Sequence, residues 1–425
     1  MKKTSLKGLD LDIYTEKLDN GLEVILVPYE DKKNYFMTYA TKFGSTTTKF
    51  KPVGSKRIIS VPTGVAHFLE HKMFEQEDGE DPFTFFSKSG TGANASTSFD
   101  STQYICYGTK NFEENLDYLL DYVNSPYFTA ENVEKEKGII IEELKMYLDI
   151  PDYRLENKLR ESVYKTHPRR IDIGGTISDV ESITKEDLYN CYNSFYVPNN
   201  MFIIIVGNFD NEKAISIINK RLKDIKKEKL PEVKEVSEQE KVNRKTYSFE
   251  ADVNIEKLAF GLKIPTKDLS IKDKLELNLY LSMFTTLTFG ISSLFRENLR
   301  NKKLINNIYT DWEAIEDYRV FNILASTENK DELLKEIKKE LSNLNIDEDS
   351  FERIKKVWIA NEVRITDNVD AVVSNLYDDM IKYNKIITNR VELIRKMKFS
   401  KLKKLLSEID FSNYSVVKMN MKKNK

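Results

Sequence analysis

The stretch GVAHFLEHKMFEQ, Gly64 to Gln76, holds two of the three histidines in a chain of 425 residues, four positions apart, with a glutamate directly before the second. On a helix His67 and His71 share one face, with Cβ atoms about 5 to 6 Å apart. That separation suits two imidazoles binding one zinc ion through nitrogens about 2.0 to 2.1 Å from it. Glu70 can approach the same ion without being a ligand, the place of a general base for water that the metal activates. The alternative is two unrelated helix histidines with a surface glutamate between them. Three histidines in the whole chain make that coincidence a poor explanation.

Zinc sites that do chemistry usually take three protein ligands and keep one position open. The third histidine, His167 in YKTHPRR, precedes a proline in a loop-like stretch and reads as structural, so a carboxylate is the natural third ligand. The segment TAENVEKEKGIIIEELKMYLD, Thr129 to Asp149, narrows the choice. As a helix it puts Glu136, Ile140, Glu143 and Tyr147 on one stripe, with Ile139 and Ile141 flanking it and drawing it into the interior. Carboxylates on a buried stripe are costly unless something cationic faces them, which a metal site would supply. On these grounds alone, Glu136 and Glu143 could equally lie on a solvated face.

Outward from this pair, LEVILVP, NYFMTYATKFGS and STSFDSTQYICYGT read as strands, with helices at Phe112 to Asn124 and Ala130 to Leu148. The charged stretch Ile225 to Thr246 contains Pro231 and little to bury, and reads as a linker between halves of about 200 residues. NMFIIIVGNFD running into NEKAISIINKRLKDIKKE in the first half, and YRVFNILASTEN running into KDELLKEIKKELSNL in the second, look like the same strand-turn-helix unit, which hints at duplication. The fold class is α+β, sheets with helices packed on them.

The 66 basic and 68 acidic residues nearly cancel and are interspersed, which argues against nucleic acid as a partner. The longest apolar run is MFIIIV, Met201 to Val206, too short to span a membrane. The N-terminal segment is too polar for a signal peptide. Cys106 and Cys191 are expected as free buried thiols in a reducing compartment, which places the chain in the cytoplasm.

HFLEH matches the inverted H-x-x-E-H zinc motif letter for letter, and the chain resembles the insulinase and pitrilysin family of zinc peptidases. Members carry this motif and, some seventy residues later, a helix with two glutamates seven apart, the second of which is the third ligand; Glu143 lies 72 residues after His71 and Glu136 seven before it. The resemblance thus implies one Zn2+ per chain on His67, His71 and Glu143, Glu70 as base, and a supporting acidic role at the catalytic centre for Glu136. GTGANASTSFDSTQYICYG is similar to the family's substrate-accepting edge strand, which implies substrate contacts at Asn94, Ala95, Ser96 and Thr97. NSFYVPNNMFIIIVGNFD and FGISSLFRENLRNKKL are also similar to family segments. Members have a second-half arginine followed seven residues later by a tyrosine, both reaching substrate; Arg300 fits the first, but Asn307 holds the seventh position and Tyr309 is the nearest tyrosine.

The resemblance implies two homologous domains, each a mostly antiparallel sheet with packed helices: a catalytic domain at 1–228, a linker at 229–246 and a metal-free domain at 247–425. It implies a metalloendopeptidase that cleaves short or unfolded peptides, working as a homodimer or as a heterodimer with a related chain. A catalytically silent or partner-dependent peptide-capturing subunit is the alternative, and a zinc hydrolase of non-peptide substrates a more distant one.

Overall fold

The computed structural model describes residues 1–266, 269–315 and 317–422. Two compact units emerge. Unit 1 comprises Met1–Leu144, Ile171–Glu235 and Glu362–Asn389; unit 2 comprises Lys145–Arg170, Val236–Asn361 and the chain from Arg390 onward.

The chain opens with strands β1 (Lys2–Ser5), β2 (Asp12–Lys17), β3 (Glu23–Pro28) and β4 (Tyr35–Thr41), then the short β5 (Lys49–Lys51) and β6 (Ile59–Ser60). Helices α1 (Val65–Lys72) and α2 (Pro82–Lys88) lead to the hairpin of β7 (Gly92–Thr97) and β8 (Thr102–Gly108), followed by α3 (Phe112–Val123), α4 (Ala130–Asp149) and α5 (Pro151–Val163). Next come α6 (Ile177–Ser182), α7 (Lys185–Phe195), β9 (Met201–Gly207), α8 (Asn211–Leu222) and β10 (Glu232–Val233). The second half runs β11 (Thr246–Ala251), β12 (Lys257–Pro265), α9 (Ile271–Phe289), α10 (Leu294–Asn301), β13 (Asn307–Ala314), β14 (Tyr318–Ser326) and α11 (Lys330–Ser342). It ends with α12 (Glu348–Ile365), α13 (Val369–Tyr383), α14 (Arg390–Lys396), α15 (Phe399–Glu408) and β15 (Tyr414–Met421).

The duplication is written in the sheets. In unit 1 the order is β1-β2-β3-β9-β4-β8-β7, with β3 parallel to β9 and every other neighbour antiparallel. In unit 2 the order is β11-β15-β12-β14-β13, with β11 parallel to β15 and the rest antiparallel. Strands β3, β4, β7, β8 and β9 therefore correspond to β11, β12, β13, β14 and β15. This corrects the pairing of units expected from sequence. YRVFNILASTEN with its helix is β14–α11, whose topological equivalent is β8–α3 rather than β9–α8; strand-helix units are common enough for two unrelated ones to look alike.

The seven-stranded and the five-stranded sheet are each covered on both faces. Strand β9, MFIIIVG, is buried at all seven positions, as a strand with apolar partners on both sides must be. One face of the unit 1 sheet packs on α1, α3, α4, α7 and α8; against the other lies α13, through Val369, Val372, Val373, Leu376 and Met380 on Ile25, Val27, Phe202, Ile204 and Val206. In unit 2, Leu155, Leu159, Val163 and Tyr164 of the segment around α5 cover the second face of the sheet, against Ala259, Val320, Val417 and Met419. The units are thus interleaved and do not follow one another along the chain as 1–228 and 247–425. Each sheet takes a cover helix from the other half of the sequence.

The stretch 229–246 also differs from the expected linker. Its Glu232 and Val233 form β10, which pairs with β5, and Glu238 and Val242 are buried. Cys106 and Cys191 are free and buried. No helix among the described residues is long and apolar enough to cross a membrane.

Candidate metal centre

Helix α1 starts at Val65 after Gly64, which sits at the N-cap with φ of 83°, a left-handed conformation that costs glycine nothing. A Cβ on Gly64 would lie 2.2 Å from the carbonyl oxygen of Gly174, so only glycine lets the segment before α6 pass across the start of the helix. The rest of α1 buries Val65, Ala66, Phe68 and Leu69. Its polar face carries His67, Glu70 and His71.

Helix α4 brings Glu136 and Glu143 to that face, while Val133, Ile140 and Leu144 hold it in the core. Ile139, expected to be buried, is 51% exposed. The inward stripe runs Val133, Ile140, Leu144, one step round the helix from where the isoleucine run suggested.

His67, His71 and Glu143 each offer one ligand atom, all within 4.8 Å of one another, the group among the described residues that could hold a metal ion. Oε2 of Glu143 lies 3.4 Å from Nε2 of His71 and 3.7 Å from Nε2 of His67. Ligands at 2.0 to 2.1 Å from a tetrahedral ion are about 3.3 to 3.4 Å apart, so the glutamate oxygen is spaced from both nitrogens close to what a zinc site requires. Oε2 of Glu143 is also buried without a hydrogen-bond partner. A divalent cation would satisfy that orphaned oxygen, and the residues present fit one.

Charge is arranged to suit. Burial and the neighbouring charge of His71 push the His67 imidazole down to about 4. Burial pulls on His71 too, but the hydrogen bond to Glu136 and the Glu143 carboxylate 3.4 Å away outweigh it and raise the imidazole to about 9. One proton is thus held at neutral pH where a cation would sit. Its Nδ1–H donates to Oε1 of Glu136 at 3.1 Å, the arrangement in which an outer carboxylate fixes a metal-bound imidazole. Glu136→Gln is expected to lower zinc affinity by about 10- to 100-fold, measured by chelator competition, with secondary structure unchanged.

Glu70 is not in the ligand group. It is 9% exposed, and burial raises its carboxyl while the Thr97 hydroxyl restrains the rise. Oε2 accepts a 2.5 Å hydrogen bond from Oγ1 of Thr97, which ends the edge strand β7. Of the other residues read as substrate contacts, Asn94, Ala95 and Ser96 lie on the same strand, whose one ladder partner among the described residues is β8. Arg300 and Tyr309 belong to unit 2: Arg300 is exposed near the end of α10, and Tyr309 is 63% exposed on β13, the edge strand equivalent to β7. Asn307 spends its side-chain oxygen on the backbone N–H of Ser326. Tyr309, two residues on, projects from the same face of β13.

Sequence reasoning missed Lys72, directly after His71. Its side chain is fully buried, paired with Glu75 and donating to the carbonyl of Asn132 at 3.3 Å, which pins α1 to the start of α4. A lysine in the last turn of a helix looks solvent-facing, and nothing local signals otherwise.

A sheet with a two-histidine, one-glutamate group on its helical face, and a second unit that repeats the sheet's topology, define the class to which the chain is compared. Residues 53–176 match the model of the insulinase family, peptidase family M16, and residues 182–357 match the model of the M16 inactive domain. The zinc protease YmfH of Bacillus subtilis is 40% identical over 340 residues, 79% of either chain. The zinc protease PqqE of Helicobacter pylori is 25% identical over 383 residues, 87% of this chain and 83% of that one. An M16-like peptidase from Alicyclobacillus acidocaldarius superimposes with a TM-score of 0.92 at 29% identity, over 99% of this chain and 100% of its own. The chain belongs to the insulinase family of peptidases, M16.

Proposed function

We propose that the chain is a zinc-dependent endopeptidase acting on short or unfolded peptides. The observation that carries the reading is the convergence of the two Nε2 atoms and the orphaned Glu143 oxygen beside Glu70, a carboxylate that is not among them. His67, His71 and Glu143 would hold the ion, with Glu136 orienting His71. When bound, zinc supplies the Lewis acidity that makes water nucleophilic near neutral pH and polarises a peptide carbonyl. Glu70 takes the proton from the attacking water and returns it to the leaving amine. Its raised pKa brings it closer to that task than an exposed glutamate.

The open edge of β7 offers backbone groups to an extended peptide, with Asn94, Ala95, Ser96 and Thr97 alongside. Strand addition favours short or unfolded chains because a folded substrate has no free strand to give. Arg300 and Tyr309 are read as further substrate contacts, and a homodimer or a heterodimer with a related chain, in the cytoplasm, belongs to the same reading.

The presence of asparagine at position 307 favours one second reading, a partner-dependent or silent subunit that captures peptides. The test is cleavage of a mixed pool of unfolded peptides by the purified chain before and after chelation, with bound zinc quantified. Cleavage that disappears on chelation and returns with one equivalent of zinc is the expected result. Zinc binding without cleavage would replace the peptidase reading with the capturing one, and no zinc binding would overturn the metal centre on which the peptidase reading rests.

A further inference from the structure

Thr97 is the last residue of β7 and lies directly opposite Thr102 of β8. Its hydroxyl has one hydrogen and two acceptors in reach: Oε2 of Glu70 at 2.5 Å and Oγ1 of Thr102 at 3.4 Å. The Thr102 hydroxyl gives its own hydrogen to the carbonyl of Phe43 at 2.9 Å. Between a charged oxygen at 2.5 Å and a neutral one at 3.4 Å, the hydrogen goes to the carboxylate, in the distance range of charge-assisted O–H···O bonds. Glu70 is buried, and among the described residues Thr97 is the side chain that hydrogen-bonds it.

We propose that Thr97 is a positioning residue, whose hydroxyl holds the Glu70 carboxyl in one orientation through Oε2 and leaves Oε1 as the oxygen that takes the proton. This rests on the endopeptidase reading. It ties the base to the strand that would receive substrate, so the carboxyl and the added peptide strand share one rigid reference. A carboxyl that loses this bond is left with the Thr97 backbone N–H alone, and its last torsion is broad for glutamate. Displacements of about 1 Å in a positioned group can cost on the order of 10²-fold in rate.

The experiment compares wild type, Thr97→Val, which keeps the β-branched shape and deletes the hydroxyl, and Thr97→Ser, which keeps the hydroxyl. Zinc affinity, kcat and KM are measured on a fluorogenic unfolded peptide, and the zinc-loaded proteins are crystallised. Thr97→Val is expected to lower kcat by about 10- to 100-fold, leaving KM and zinc affinity within about twofold and the Glu70 carboxyl in a different orientation. Thr97→Ser restores most of the rate. Thr97→Ala replaces the valine variant if that protein does not fold. An unchanged kcat overturns the inference, as does a loss that follows zinc affinity or KM or that serine fails to rescue. If wild type itself cleaves nothing, the endopeptidase reading falls separately, and the crystal structures decide: an unmoved Glu70 carboxyl in Thr97→Val overturns the inference, and a reoriented one sustains it.

Discussion

Glu70→Gln is expected to retain zinc at the wild-type level and to cleave unfolded peptides about 10²- to 10⁴-fold more slowly, the range over which a positioned general base contributes. The substitution is close to isosteric, and the amide oxygen of glutamine can still accept the hydrogen that Thr97 gives to Oε2. Packing around α1 therefore has no reason to change. What disappears is the capacity to accept a proton. Since His67, His71 and Glu143 form the ligand group without Glu70, zinc content measured on the same samples should match wild type. Folding stability should hold or rise slightly, because a buried carboxylate gives way to a neutral group. If the variant cleaves at the wild-type rate, Glu70 is not the base. If it loses zinc, Glu70 is a ligand and the centre has been assigned wrongly. The opposite phenotype is expected of changes at His71: loss of the ion, and of activity with it.

How much of this could be read from the residues depends on how local each constraint is. The pair His67 and His71 was legible because helical spacing alone brings them together, and α4 ends within a residue of where periodicity puts it. The third ligand was not legible on periodicity alone. Glu136 and Glu143 share a stripe whether it faces solvent or metal, and the choice needed the family's spacing. Ile139 shows the limit of the method, since three consecutive isoleucines cannot all face inward on one helix, and the sequence does not say which one yields.

Longer-range features were less visible. The run MFIIIV announced a strand buried on both faces, yet nothing in it identified α13, some 170 residues later, as the cover. Interleaving of the units follows from such pairings, and a composition scan that looks for a break in the chain finds the charged stretch 229–246 instead. That stretch looked unburied because its charged residues are usually solvated. Glu238 is the exception, and its partners lie about 25 residues on one side and about 70 on the other.

Those partners make Glu238 the source of the second large effect. Its carboxylate, in unit 2, accepts hydrogen bonds from the backbone N–H groups of Thr166 and His167 at 2.7 Å each and of Lys165 at 3.1 Å. Nζ of Lys263 meets it at 2.9 Å, and the two side chains are 0% and 1% exposed. The lysine also donates to the carbonyl of Gln239 and lies 4.5 Å over the ring of Tyr318. Burial pushes the Glu238 carboxyl up, but Lys263 and the three amides outweigh it and hold the group at about 2, below its ordinary value of 4.5. A folded pKa below the unfolded one means stability that is fully present above the unfolded value and is lost as pH falls toward the folded one. Glu238 therefore stabilises unit 2 above about pH 5 and ceases to do so on the way to about pH 2. At about 1.4 kcal/mol per pK unit this is on the order of 3 kcal/mol for Glu238 alone, offset in part by the burial of Lys263, which pushes its ammonium below the ordinary value. Glu238→Gln is expected to lose about that much at pH 7 and to show a correspondingly flatter acid dependence. Lys263→Met leaves the carboxylate without its cation, a change that costs about 3 to 5 kcal/mol when a buried pair is broken from one side. The double variant should recover part of the loss, since neither charge is then stranded. Both tryptophans, Trp312 and Trp358, lie in unit 2, so urea unfolding followed by tryptophan fluorescence at pH 7 and pH 4 reports on this unit directly. Equal acid slopes for wild type and Glu238→Gln would show that the carboxylate is not what couples unit 2 to pH.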